Sequence, residues 1–349
     1  MKTSKLYLVL FGLLILGACS REDLVSTDSN EAYRTSNTNL TDYFAVANRM
    51  AGTVSIYNAK TVDHMEAIVM SGSNAAPTYV TYSKERDLLY VADFNNPRVV
   101  AYNVNDFSEA DEFLVGNGAF HMWTHDGIDQ LWVNNLMDKT TSVVNLNTGM
   151  TMQTIHLPMD MELPMDAVQH DVIISPDGNY AYVSVLSTTG DNYVLQYSTS
   201  DFSLINYTIA GGDPHLTVTD DYLYILSQND STILEYNFAD LTPTGKGGII
   251  PNAHGVTPGD RDDILVTNLP ERKIAVYNSA SEAVDRVTEA GSSAGVAHNL
   301  AFNPRQNILA LTLSGSDTVD FFRVTNKKIT YISSDVSGMN PFGIVYVER

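Results

Sequence analysis

Five histidines, His121, His170, His215, His254 and His298, recur along this chain at gaps of 49, 45, 39 and 44 residues. Each stands at the same place in a longer pattern. An apolar stretch follows, then a turn, then a second apolar stretch, as in His170-Asp-Val-Ile-Ile-Ser-Pro-Asp-Gly-Asn-Tyr-Ala-Tyr-Val-Ser. Self-similarity at a period of roughly 40–50 residues, carried by strand-length apolar runs, is the mark of a β-propeller. One such unit cannot bury its own apolar face, so the units must stack around an axis. The same slot of every blade then lies at one height around that axis. Sequence spacing therefore predicts a ring of imidazoles.

The remaining strands follow from the same alignment. Second strands hold Leu89-Tyr90-Val91, Leu131-Trp132-Val133, Ala181-Tyr182-Val183, Leu223-Tyr224-Ile225, Ile264-Leu265-Val266 and Ile308-Leu309-Ala310. Third strands end on an aromatic and a polar residue, as in Tyr57-Asn58, Tyr102-Asn103, Tyr197-Ser198 and Tyr277-Asn278, with Leu146-Asn147 filling that slot in one unit. A more polar outer strand closes each unit. Asp126-Gly127 and Asp177-Gly178 are hairpin signals between first and second strands. First strands start near Thr78, the five histidines and Phe342, which makes seven. The last, Pro341-Phe-Gly-Ile-Val-Tyr-Val, has no chain left to complete its blade, and Phe44-Ala-Val-Ala and Val54-Ser-Ile-Tyr57 have no first strand of their own. The expectation is an all-β fold over residues 42–349. It is a seven-bladed propeller of four-stranded antiparallel blades, closed by pairing of the N- and C-terminal strands, which removes a sheet edge.

Residues 1–18 read as a signal peptide, with Lys2 and Lys5 before an apolar run from Leu6 to Leu16. Residues 19–41, rich in Ser, Thr, Asn and Asp, read as a flexible tether. Leu16-Gly17-Ala18-Cys19 resembles the lipobox of bacterial lipoproteins, in which the Cys becomes the acylated N-terminus, and Cys19 is the only cysteine. Ser20-Arg-Glu-Asp is similar to the acidic export signal of some Bacteroidetes surface lipoproteins. These resemblances imply lipid anchoring in a bacterial cell envelope, at the outer membrane, on its periplasmic or surface face. The expected result is that Cys19→Ser moves the protein out of the membrane fraction. Retention of that variant after a high-salt wash would rule the anchor out. Formal net charge is −21, and −23 once Lys2 and Lys5 are cleaved away. That charge argues against nucleic acid as a partner, since such binding depends on cationic contacts. It suits the attraction of cations.

The Ser175-Pro-Asp-Gly turn, the Leu-Tyr-Val strands and the Val-Tyr-Asn strands resemble YVTN-type seven-bladed propellers, including the YncE-like and lactonase-like families. The resemblance implies the fold; propellers host unrelated activities. The histidine layout is also similar to nitrous oxide reductase, whose propeller holds a copper cluster on channel-mouth histidines. This chain lacks that family's His-His pair and its cysteine-rich copper domain, so that cluster and its activity are not carried over.

Imidazoles converging from several directions suit Zn, Cu, Fe or Ni. The candidate ligand and metal residues are His121, His170, His215, His254 and His298. Met159 and Met161, with Met165, lie in the connection before His170, which is expected on the ring's face; thioethers there would favour copper. Asp166, Asp171, Asp213 and Glu162 stand near ring histidines as groups that orient imidazoles or move protons. His64 and His156 fall on outer strands, and His125 has no adjacent Glu for a zinc-protease motif. The reading is a lipid-anchored propeller that binds a small ligand or a metal, Cu or Zn, at a histidine-lined channel mouth, with binding rather than catalysis as its role. The alternatives are a lactonase-like hydrolase and an interaction platform for another envelope protein.

Overall fold

The computed structural model describes residues 41–291 and 294–349. Residues 1–40, with the expected signal peptide, most of the tether and Cys19, lie outside the described residues. Among the described residues, the strands form seven four-stranded antiparallel sheets. The inner strands are Pro77–Ser83, Ala119–His125, Val168–Ile174, Pro214–Val218, Ala253–Pro258, Val296–Asn303 and Pro341–Val347. Six of the sheets run outward in chain order. The seventh places Pro341–Val347 beside Tyr43–Asn48, with Tyr43 opposite Val347 and Phe44 opposite Tyr346. Closure is as expected, and Pro341–Val347 covers the edge that Tyr43–Asn48 would otherwise leave unpaired.

Alternation of β-branched and aromatic residues makes the strands, and the blades pack face to face. Each apolar cluster draws on two adjacent blades. Tyr90, Ala92 and Val99 of one sheet meet Met122, Leu131 and Val133 of the next, and Phe44, Val46 and Tyr57 meet Ala310, Val319 and Phe321 across the closure. Outer strands are solvated, as in Glu109–Leu114, where Phe113 alone is buried. His64 and His156 stand exposed on outer strands, as predicted.

Two local readings need correction. Asp126-Gly127 is not a two-residue hairpin: residues Asp126–Ile128 form a 3-10 turn, and the left-handed residue that reverses the chain is Asp129, at φ 55°. Asp177-Gly178 lies in the connection of residues 175–179 between Val168–Ile174 and Tyr180–Leu186, where Gly178 takes the left-handed conformation at φ 74°. In the His121 unit the polar residue ending the third strand is Asn145, opposite Gln130, rather than Asn147. The Asn145 side-chain oxygen accepts from the N–H groups of Asn147 and Thr148, the turn-capping role that Asn58 plays for Lys60 and Thr61.

One irregularity positions the site. In six of the seven inner strands two residues oppose one on the neighbouring strand, which is a β-bulge. The bulged pairs are Thr78-Tyr79, Phe120-His121, His170-Asp171, His254-Gly255, His298-Asn299 and Phe342-Gly343. Pro214–Val218 pairs without a bulge. Hydroxyls on the second strands stitch the bulges together. Thr267 Oγ1 accepts from Gly255 N–H and donates to His298 O of the next blade, and Thr312 Oγ1 does the same between Asn299 and Phe342. Gly255 has to be glycine, because a Cβ there would sit 2.1 Å from His298 O.

Candidate metal centre

Each bulge turns two successive side chains toward the axis, so the ring has two layers. The first positions hold Thr78, Phe120, His170, His254, His298 and Phe342, with His215 matching them in its regular strand. The second hold Tyr79, His121, Asp171, Gly255, Asn299 and Gly343. His121 is therefore one step further along its strand than the spacing implied, and Phe120 occupies the slot assigned to it. The bulge corrects the register without dispersing the cluster. Ring centroids of His121 and His170 are 4.9 Å apart, His170 and His215 5.1 Å, His215 and His254 4.1 Å, and His254 and His298 4.9 Å. The other two slots close the circle with aromatic and hydroxyl groups. Phe342 stands edge-on to His298 at 4.0 Å, Tyr79 lies 3.7 Å from His121, and Thr78 donates to Ala119 O.

Hydrogen bonds set the tautomers. His121 Nδ1–H donates to Asp171 Oδ1 at 3.0 Å, and Asp171 Oδ2 accepts from Leu216 N–H of the following blade. His254 Nδ1–H donates to Gln228 Oε1 at 2.6 Å. Ser314 Oγ donates to Pro341 O and so accepts from His298 Nδ1–H at 2.7 Å. All three imidazoles thus keep Nε2 as a lone-pair nitrogen. Nε2 of His121, His215 and His254 and Nδ1 of His170 are buried without a hydrogen-bond partner. Four orphaned ring nitrogens in one place is an unusual cost, since a buried polar atom normally finds a partner. Two sets of three bring their ligand atoms within 4.8 Å of one another: His121, His170 and His215, and Asp213, His215 and His254. His215 belongs to both.

The sequence reading correctly placed Asp171 and Asp213 beside the imidazoles. Asp166 is instead spent on a turn, accepting from Ser187, Thr188 and Thr189, and Glu162 is exposed. The thioethers are elsewhere. Met159 is 100% exposed and Met165 97%, while Met161 packs with Leu157 and Leu163 against the core between two blades. The connection lies at the expected end of the propeller, but apolar packing draws Met161 into the wall and leaves Met159 outside. The argument for a thioether-bound copper falls with them. Gln228 and Ser314 escaped the sequence reading, because their role appears only once second strands are registered against first ones. His125 Nε2 bonds Pro176 O and stands apart from the ring.

Electrostatics keep His170, His215, His254 and His298 uncharged. Burial drives His170 and His298 down to about 3, helped by repulsion among the neighbouring imidazoles, and burial drives His215 to about 4 against the pull of Asp171. His254 falls well below the ordinary value, again from burial first. Desolvation is therefore the larger cause and mutual repulsion the smaller. Burial raises the Asp171 carboxyl, but the imidazoles around it, His121 first, outweigh that and hold it ionised. A consequence for stability follows. Between the ordinary value of 6.5 and the folded values near 3–4, the unfolded chain binds protons that the native ring refuses. Stability is then level above about pH 6.5 and falls as pH drops below it, by at most about 1.4 kcal/mol per pH unit for each such histidine. The melting temperature of the metal-free protein should drop steeply between pH 6 and 4. The double variant His254→Gln, His298→Gln should show a shallower drop, and equal slopes for the two proteins would contradict the assignment.

A cavity of about 340 Å³ runs from the ring toward the ends of the inner strands. His121, His215, His254 and Asp171 form its inner end, and Thr124, Thr257 and Tyr346 line its partly exposed far end. His170 and His298 do not line it.

Comparisons place the architecture among known propellers. A periplasmic gluconolactonase of Pseudomonas aeruginosa is similar at 16% identity and TM-score 0.67, over 88% of this chain and 99% of that one. A functionally unknown protein from Desulfotomaculum acetoxidans is similar at 14% identity and TM-score 0.72, over 88% and 99% of the two chains. A putative 6-phosphogluconolactonase from Bacteroides fragilis is similar at 14% identity and TM-score 0.66, over 91% and 100%. Likeness at this level shows the fold: the chain is a seven-bladed β-propeller with lactonase-named propellers among its structural neighbours. No family model matches the chain, and no curated protein matches it.

Proposed function

We propose that this protein is an envelope propeller that binds a transition metal, Zn or Cu, on its ring of histidines. One observation carries the reading: His121, His170 and His215 each offer a ring nitrogen within 4.8 Å of the other two, and each has a ring nitrogen buried without a hydrogen-bond partner. Imidazoles that ligate metal characteristically donate their other nitrogen to a carboxylate or carbonyl, and His121 does so to Asp171. Burial keeps His170, His215 and His254 neutral well below the usual histidine range, which is the form a metal needs. Binding should therefore persist below the usual histidine range and weaken only toward pH 4. Without thioethers the donor set is imidazole and carboxylate, which suits Zn²⁺ and Cu²⁺ rather than Cu⁺. The acidic surface draws cations to the molecule. Lipidation at Cys19 would hold it at the membrane.

Calorimetric titration with Zn²⁺ and Cu²⁺ tests the reading. The parent and a His64→Ala, His156→Ala variant should bind alike. Replacing His170 and His254 together by Ala, which removes one member from each set of three, should lower affinity at least 100-fold. Equal binding by all three proteins would reduce the ring to a structural feature.

A second reading, a lactonase-like hydrolase, draws on the His121–Asp171 pair at the inner end of the cavity, the arrangement of an oriented general base. Hydrolysis of a lactone by metal-free protein, lost in His121→Gln, would favour it over metal binding.

A further inference from the structure

The cavity inward of the ring has a wall chemistry of its own. Among the described residues no lysine or arginine lines it. Asp171 is its one carboxylate, and both oxygens are already taken, Oδ1 by His121 and Val172 and Oδ2 by Leu216. The rest of the wall mixes apolar and aromatic groups, as at Val80, Ile173, Trp123 and Phe302, with uncharged polar ones at Thr81, Thr124, Thr257, Asn299 and Tyr346. The inner end presents lone-pair nitrogens of His121 and His254 that lack a donor, beside the buried Nε2 of His215, which stands 3.6 Å from Asp213 Oδ1.

The rim through which this cavity opens is built from the turns after the inner strands, and its cations are all paired. Lys84 meets Glu348, Arg86 meets Asp126 and Asp129, and Arg261 meets Asp260. Arg305 meets Asp42 and Glu348, and Arg349 meets Asp87. The same turns add further carboxylates at Asp177, Asp220, Asp221 and Asp262. Arg49 is on the opposite face, with its guanidinium 4.4 Å from the Phe94 ring centre and 5.6 Å from that of Phe342. It does not line the cavity.

We propose that this cavity takes small uncharged organic molecules bearing an O–H or N–H donor, and rejects anions, phosphorylated and carboxylated ligands included. An anion would cross an acidic rim, lose its water and find no cation, which is a large uncompensated cost. A neutral donor instead gives the orphaned imidazole nitrogens the hydrogen bond they lack, while its apolar body replaces water along the wall. A volume of about 340 Å³ lies at the small end of ligand sites, which range over roughly 300–1,000 Å³. The inference rests on the ring as a binding surface and not on a bound ion.

Benzamide and benzoate have the same shape and differ in charge, so the pair tests the proposal directly. Their binding to the full-length protein, stripped of metal with a chelator, is measured by ligand-observed NMR titration. Benzamide should bind at least tenfold more tightly than benzoate. Thr257→Arg places a cation on the partly exposed wall and should narrow or reverse that preference; Ile344→Arg serves if the first variant folds poorly. Equal binding of the two compounds by the parent, a preference for benzoate, or no benzamide binding up to its solubility limit would each overturn the proposal. A parent that binds benzamide selectively but fails to take up Zn²⁺ would sink the metal reading and leave this one standing.

Discussion

Deleting residues 340–349 should open the ring. Pro341–Val347 is the inner strand of a blade whose other strands come from the N-terminal side of the propeller, and it pairs along Tyr43–Asn48. Its removal takes away the clasp as well as the strand: Tyr346 donates to Asp42, Arg349 N–H to the same carboxylate, and Tyr82 to Glu348 O. Phe44 loses its contact with Tyr346, and His298 loses the edge of Phe342. Val347 is fully buried and Phe342, Ile344, Val345 and Tyr346 are partly buried; at about 1.5–3 kcal/mol for a fully buried side chain and roughly half that for a half-buried one, the loss is about 5 kcal/mol or more before the backbone bonds are counted. At about 2–4 °C per kcal/mol for a large domain, the melting temperature should fall by at least about 10 °C. The newly exposed edge of Tyr43–Asn48 should also make the variant self-associate. Thermal melting followed by circular dichroism checks this. A truncated chain that melts with the parent would mean the ring is held closed elsewhere.

His215→Ala should abolish metal binding by itself, because His215 is the one residue common to the two sets of possible ligands. His170→Ala leaves Asp213, His215 and His254, and His254→Ala leaves His121, His170 and His215, so each of these should weaken binding about tenfold and not remove it. This order separates a shared centre from a loose collection of histidines, for which the three single variants would lose similar amounts. Isothermal titration of Zn²⁺ into the three variants, each first shown to melt near the parent temperature, gives the comparison. Retention of parent-like affinity by His215→Ala would exclude both sets.

Blade number, strand order and closure were legible in the residues because each depends on a periodic signal. The start of every inner strand repeats, and the unmatched strands at the two ends of the chain can only complete one another. The histidine cluster was legible for the same reason. What escaped was local. A β-bulge inserts a residue that leaves no mark in composition, so His121 was placed in the slot that Phe120 fills. The capping Asn145 was missed in favour of Asn147 because both precede a plausible turn, and only strand pairing separates them. Met159 and Met161 were placed near the imidazoles from the direction of their connection. Yet side-chain direction in a loop is decided by packing, and here Leu157 and Leu163 carry Met161 into the wall. Gln228 and Ser314, which set two tautomers, sit at the ends of second strands, and their meaning depends on register alone. The acidic rim was visible as a net charge but not as a rim, since its carboxylates are scattered over six of the seven blades.

The most direct measurement of the central claim is anomalous diffraction from crystals of the zinc-loaded protein, collected on both sides of the zinc absorption edge. The account predicts a single strong peak inside the ring, about 2.0–2.1 Å from ring nitrogens of three histidines that include His215, the usual Zn–N distance. No peak at the ring, or density only at exposed His64 or His156, would contradict it.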